Sequence, residues 1–142
     1  MGLVLGNQLE LGSLGGGGGG SGGVTSVNGK TGAVVLTGND LVTEVNITET
    51  TKSITLASDT IYNCGTMSSI TISLPSNPTP KFVAQLNFTS GSTATTIPPV
   101  SGLTWLGDDV DTTFTPQTNK RYSIMFFYDG VSVRGIVQAV GA

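Results

Sequence analysis

The chain has 142 residues, a formal net charge of −3, 11% charged residues, one cysteine and no histidine. Without histidine, Ser-His-Asp and Cys-His catalysis and histidine-containing zinc sites are excluded, and six basic residues supply no basic stripe for nucleic acid. No apolar run approaches the ~18 residues of a transmembrane helix, and Met1-Gly2-Leu3 lacks the basic region of a signal peptide.

Residues 1–14 have an apolar pattern that favours an extended peptide. Leucines at 3 and 5, and again at 9 and 11, keep a period of two, which suits a strand better than a helix. We therefore interpret residues 1–14 as an anchor peptide whose apolar side chains are buried against another chain or a larger assembly. A frayed terminus is the alternative. The predicted anchor contacts are Leu3, Val4, Leu5, Leu9 and Leu11.

Residues 15–23 are predicted to be a flexible tether. The segment has six consecutive glycines followed by Ser21-Gly22-Gly23, and 11 of the 21 glycines lie within the first 23 residues. Nine residues of this composition have an r.m.s. span of roughly 15–18 Å. A tether between an anchor and a body and an unspecialised linker have the same composition.

Residues 24–50 are predicted to form a connector built on a β-hairpin. Asn28-Gly29 is a strong tight-turn signal between a β-prone run at 24–27 and a return strand at 33–37. A two-stranded hairpin is marginal in water, so we expect it to dock or to pair with copies of itself. Residues 40–44 could add one helical turn. The connector positions are Val27, Asn28, Gly29, Val34 and Leu36.

Residues 51–142 have the pattern of a small β domain. All nine aromatic residues lie at or after Tyr62, so the core is expected within the last ~90 residues. Period-two alternation predicts strands around residues 70–74 and 82–88, and a short strand at 103–106. Six to eight short strands separated by turns indicate an all-β domain of the β-sandwich or jelly-roll type.

The clearest predicted element is a hairpin with a two-residue Asp129-Gly130 loop, between strands at 121–128 and 131–137. Alternate residues from Tyr122 to Tyr128 form one apolar face, while Met125 and Phe127 lie on the other. Apolar residues on both faces indicate a central strand, or one whose outer face contacts another subunit.

Cys64 has no partner for a disulfide within its own chain. It is interpreted as a small buried residue of a strand or turn, with an intermolecular bridge or a reactive thiol as alternatives. Because the predicted core is small and has no disulfide, oligomerisation is the expected route to stability.

The sequence VTSVNGKTGAVVLT at residues 24–37 resembles the SVNGKTGAV-x-LT module of tailed-bacteriophage virion appendages, namely tail-fibre, baseplate and head-fibre proteins. Residues 54–138 resemble the C-terminal β domains of appendage proteins from gut phages. That second resemblance is carried by residues 61–65, 82–91, 105–109 and 121–130. Together they imply a structural virion role, with the module connecting an attachment segment to a C-terminal β domain in trimers.

Three groups of residues invite a chemical interpretation. Gly29-Lys30-Thr31 lacks the glycine at position 24 that a phosphate-binding loop needs, so we interpret it as a turn. The aspartates at 108, 109 and 111 are interpreted as an acidic surface turn, with a weak Ca²⁺ site as the alternative. Trp105, Tyr122 and Tyr128 are possible glycan contacts, and packing in a core or subunit interface is the competing interpretation.

The sequence thus predicts a non-enzymatic structural virion protein, a short capsid (head) fibre or decoration protein acting as a homotrimer. A capsid location is preferred over a tail location because the chain is short and a host-reaching tail fibre usually has a long shaft. We expect the protein to be assembled in the host cytoplasm and exposed on the particle surface. Its expected partners are copies of itself and capsid or other virion proteins, with no cofactor, metal, nucleic acid or membrane. The alternative is a tail fibre or receptor-binding tip that binds host cell-surface glycan.

Overall fold

The computed structural model describes residues 26–27, 30–31 and 41–141 of the chain. Contacts divide the chain into two units, Met1–Asp40 and Leu41–Ala142. The predicted tether lies outside the described residues. So do the predicted anchor residues Leu3, Val4, Leu5, Leu9 and Leu11, and the predicted connector residues Asn28, Gly29, Val34 and Leu36.

The first unit contains a short antiparallel hairpin formed by β1, Ser26–Val27, and β2, Lys30–Thr31. Val27 pairs with Lys30, so two residues connect the strands, as expected for an Asn-Gly turn signal. The return strand begins at Lys30, directly after those two residues, whereas the sequence predicted it from Ala33. The predicted strand at 33–37 lies outside the described residues.

The described part of the second unit contains eight strands, which confirms the all-β prediction. They are β3 Thr43–Ile47, β4 Thr51–Thr55, β5 Thr60–Met67, β6 Ser69–Ser73, β7 Val83–Ser90, β8 Leu103–Gly107, β9 Lys120–Tyr128 and β10 Val133–Gly141. Six form one sheet in the order β3-β5-β7-β9-β10-β8, and β4 and β6 form a second. Thr43 and Glu44, predicted to end a helical turn, instead begin β3 and pair with β5.

The chain winds between the two sheets from β3 to β7. Strands β3, β5 and β7 are parallel neighbours in the larger sheet, and β4 and β6 are parallel in the smaller one. After β7, Thr96 makes a parallel bridge with Ser69 and continues the smaller sheet. This coil departs from the predicted jelly-roll arrangement, because jelly rolls are built from antiparallel strands.

One hydrophobic core lies between the sheets, as the alternating patterns predicted. The smaller sheet and the residue after β4 contribute Ile54, Leu56, Ile70 and Ile72, all nearly inaccessible to solvent. The central strands β7 and β9 contribute Leu86, Phe88, Tyr122, Ile124 and Phe126. Full burial of such a side chain contributes about 1.5–3 kcal/mol, so these two apolar faces make a large contribution to the domain's stability.

The connection between β8 and β9 also covers part of the large sheet. Phe114 lies in this connection and is buried, with its ring centroid 5.2 Å from that of Trp105 and 5.1 Å from that of Tyr122. The Trp105 ring contacts Phe126 edge-on at 6.0 Å. The aromatic residues predicted to form a core therefore close the part of the large sheet that contains β8 and β9.

The β9–β10 hairpin is confirmed, but its loop is longer than predicted. Pairing begins at Tyr128 and Val133, so four residues connect the strands instead of two. The Asp129 carboxylate accepts hydrogen bonds from the backbone amides of Val131 and Ser132, at 2.9 and 2.8 Å, and from Arg134 Nε at 2.6 Å. Led by the Ser132 amide, these donors lower the pKa of Asp129 to about 2. The side chain of Asp129 therefore sets the loop geometry.

Gly135 makes the close approach of β10 to the aromatic cluster possible. A Cβ at this position would lie 2.9 Å from Trp105 Cζ3 and 3.3 Å from Phe126 Cε1. We expect Gly135→Ala to lower the free energy of unfolding by about 1–3 kcal/mol, because both rings must shift. Urea unfolding measures the change. Gly141→Ala is the matched control, since no neighbouring atom of the described residues lies within 4 Å of its Cβ position; equal effects of the two variants would contradict this packing.

Candidate functional site

The three aromatic residues predicted as glycan contacts are largely taken up by the fold. Trp105 is 9% exposed and Tyr122 is 2% exposed, while Tyr128 is half-buried at the end of β9. Phe114 packs against both Trp105 and Tyr122. Because their rings pack against other rings, neither Trp105 nor Tyr122 offers an open face for a sugar ring to stack on.

A surface depression of about 380 Å³ lies beside Trp105. We call it the Trp105 groove. Within the part of the chain that the structure describes, its lining combines threonine hydroxyls with proline and aromatic surface and contains no charged side chain: Ala94, Thr95, Thr96, Ile97, Pro98, Pro99, Trp105, Thr113, Phe114, Thr115 and Pro116. Its volume falls within the range of small-molecule sites, which are mostly apolar with a few polar groups.

Asp109 is the centre of a hydrogen-bonded cluster that the sequence did not predict. Its carboxylate accepts from Lys120 Nζ at 2.9 and 3.1 Å and from Tyr122 Oη at 2.7 Å. Tyr122 Oη in turn accepts from the backbone amide of Gln117 at 2.7 Å. These bonds fasten the β8–β9 connection, which carries Phe114, to the start of β9.

The electrostatics of this cluster follow from its geometry. Hydrogen bonding from Lys120, and then from Tyr122, lowers the pKa of Asp109. Burial, together with the neighbouring Asp109 carboxylate, raises the pKa of Tyr122 to about 12. The tyrosine therefore stays protonated and continues to donate to the carboxylate throughout the neutral range.

The neighbouring carboxylates of the acidic turn, Asp108 and Asp109, accept hydrogen bonds from different parts of the domain. Asp108 Oδ2 accepts from the backbone amide of Ala139 at 2.8 Å, whereas Asp109 accepts from Lys120 and Tyr122. Asp109 also has a φ of 56°, in the left-handed region that Asp tolerates better than most residues. Among the residues with described positions, no group of three or more acidic or cysteine side chains is arranged to hold a metal ion.

Cys64 lies in β5 and is half-buried. It follows Asn63, where the pairing with β7 loses its regular register before resuming at Thr66. Burial, and then the negative charge of Glu49, raises the pKa of the Cys64 thiol to about 11. Because the thiolate is the reactive form, this environment favours the structural interpretation of Cys64 over the reactive one.

We call the face of the large sheet that points away from the core the outer face. It has one row of mainly apolar side chains and a neighbouring row of polar ones. One row across the sheet follows the pairing of Gln85 with Met125 and of Met125 with Ile136, and it ends at Leu106. The next row contains the paired residues Asn63, Asn87 and Ser123. Of the sequence signals, only the apolar residues on both faces of β9 pointed to this surface.

No protein-family model, curated protein or solved structure matches the chain. In the part of the chain that the structure describes, there is no helix long and apolar enough to cross a membrane.

The Asp109 cluster makes stability depend on pH. We expect Asp109→Asn to lower the free energy of unfolding at neutral pH by about 1 kcal/mol, because it weakens charge-assisted hydrogen bonds. Since the pKa of Asp109 is lowered by folding, its contribution is present above the ordinary carboxyl pKa and is lost as the pH falls through the lowered value. The variant and the wild type should therefore converge in acid.

Urea titrations at pH 7 and at successively lower pH values measure this convergence. Asp111→Asn is the matched control, because Asp111 is exposed and, among the described residues, its hydrogen bonding is limited to the donation from its backbone amide to the Thr113 carbonyl. A constant difference between Asp109→Asn and wild type at every pH would contradict the assignment.

Proposed function

We propose that this protein is a structural component of a bacteriophage virion. In this proposal it is a short head fibre or decoration protein whose N-terminal peptide, residues 1–14, is the attachment to the particle. The glycine-rich segment is the tether, and the β domain projects outward as a β-sandwich-like body in a homotrimer. The protein acts without catalysis and is exposed on the particle surface.

The observation that carries this proposal is the order of the segments along the chain. The module resembling virion appendages, residues 24–37, stands between the glycine-rich segment and a compact β body that begins at Leu41. A short hairpin lies within that module. This order fits a protein in which attachment and projection are assigned to different segments.

The chemistry of the described β body supports the same proposal. Its best-defined polar clusters, around Asp109 and Asp129, have their carboxylates hydrogen-bonded to groups of the domain's own loops and strands. The Trp105 groove is lined by uncharged residues. These groups stabilise the loops of the fold and fit a structural role.

Labelling of intact particles tests the proposal. We expect an antibody against the β domain to label the capsid surface of purified virions, because the body is exposed there. Leu9→Asp with Leu11→Asp should abolish incorporation into particles, since charges oppose burial of the anchor. Asn7→Asp with Gln8→Asp is the control of equal charge in the same segment and should be incorporated. Label confined to the tail, or normal incorporation of the leucine variant, would contradict this assignment.

A glycan-binding tip on a tail is the second candidate, and the Trp105 groove is the observation that favours it. Thr113 lines the groove and is exposed, whereas its neighbour Thr112 is exposed but lies outside the lining. If the groove binds glycan, Thr113→Lys should reduce glycan-array binding at least about tenfold by blocking the site, and Thr112→Lys should not. Absence of wild-type binding across the array would rule out this candidate.

A further inference from the structure

We propose that the outer face of the six-stranded sheet is the surface through which copies of this chain contact one another. The observation behind the proposal is a set of exposed apolar side chains. Leu106 is 41% exposed, Met125 40%, Ile136 43%, Val83 43% and Val140 49%.

The strand register places three of these side chains side by side. Met125 of β9 pairs with Ile136 of β10, which pairs with Leu106 of β8. They form one continuous apolar row across three neighbouring strands. Sheets with one face toward solvent ordinarily carry polar residues on that face, so this row is typical of a covered sheet.

The polar residues of the outer face already bond to one another. Asn63 Nδ2 donates to Glu44 Oε2 at 2.6 Å, and Asn87 Nδ2 donates to Asn63 Oδ1 at 2.8 Å. Ser123 Oγ and Gln85 Nε2 donate to Asn87 Oδ1 at 2.8 and 2.9 Å. Burying polar groups is costly when they lose their partners. The amide and hydroxyl groups of this network keep their partners when the face is covered, which lowers the cost of covering them.

The area of the face is suitable for a subunit contact. Six strands about 4.8 Å apart, with central strands of eight or nine residues at about 3.3 Å each, span roughly 700 Å². A standard stable interface buries about 800 Å² on each partner. The outer face is therefore close to the area that one subunit buries in a stable contact with copies of itself.

The charges on the face favour a second copy as the occupant. Glu44 lies on β3 at one edge of the sheet, and Arg121 lies on β9, three strands away. Both side chains belong to exposed residues. An identical copy carries both a negative and a positive charge on this face, so it has a group of opposite charge for both Glu44 and Arg121. A strongly acidic partner has one only for Arg121, and a strongly basic partner has one only for Glu44. That the contact joins three copies rests on the proposed function; the use of this face does not.

Methionine oxidation in the unmodified full chain tests the proposal. Met125 should be oxidised by hydrogen peroxide at least about tenfold more slowly in the assembled protein than in the urea-unfolded chain, because a covered thioether is inaccessible. Met67, which is 1% exposed, is the buried reference within the same chain. Peptide mass spectrometry gives both rates, and sedimentation gives the mass of the species at each protein concentration.

Two results would overturn the proposal. One is a Met125 that reacts as fast as in the unfolded chain at every concentration, whether the protein is assembled or not. The other is a protected Met125 in a protein that sediments as a single copy, because the cover then comes from the same chain. Protection that appears together with assembly supports the proposal.

Substitutions assign the protection to the outer face. Ile136→Glu should restore fast oxidation of Met125 in a protein whose far-UV circular dichroism is unchanged, and Leu106→Glu is a second variant should the first not fold. Val131→Glu adds the same charge at an 88% exposed residue of the β9–β10 loop and should leave Met125 protected. Persistent protection in a folded outer-face variant would refute the assignment. Protection of Met125 without virion labelling would refute the virion proposal alone.

Discussion

The fold depends on one constraint: from β3 to β7, the chain must cross to the other sheet after every strand. Parallel neighbours cannot be joined by a tight turn, and here the crossover runs through a strand of the second sheet. The registers of the two sheets are therefore coupled: Thr43 pairs with Thr60 in one, and Thr51 pairs with Ser69 in the other, at nearly the same offset. A slip of one residue would turn the core residues of a strand outward. Thr60 of β5 pairs with Ala84 of β7, which is further along the chain, and the proline-rich loop between β6 and β7 supplies the extra residues.

In this winding arrangement, the two-stranded sheet is too narrow to cover the six-stranded sheet. The irregular connection between β8 and β9 therefore covers those two strands. The β8–β9 connection carries Phe114 and is fastened by Asp109 to Lys120 and Tyr122. That requirement explains why Tyr122, a candidate glycan contact in the sequence, and Asp109, part of the acidic turn, are hydrogen-bonded to one another. Trp105 fills the space beside Gly135, and the groove beside Trp105 is open to the surface.

Side-chain periodicity was enough to predict where most strands lie and which residues face the core, as Ile70 with Ile72 and Tyr122 with Ile124 show. Periodicity does not identify a strand's partner, so the parallel pairings could not be predicted. The β9–β10 loop was predicted too short because the carboxylate of Asp129 organises four residues. The Asp109 cluster was missed for a similar reason, since Asp109 and Lys120 meet only once the intervening connection has folded back.

The outer face completes the energetic argument. At about 25 cal/mol per Å², covering several hundred Å² of apolar surface contributes on the order of 10 kcal/mol, which is comparable with the 4–15 kcal/mol cost of bringing separate molecules together. A contact through this face alone is therefore sensitive to protein concentration. A connector that also gathers copies raises the effective concentration of the β domains for one another. In the proposed virion appendage, the hairpin connector and the outer face would therefore have complementary physical roles: the connector would bring the copies together, and the outer face would stabilise their assembled bodies.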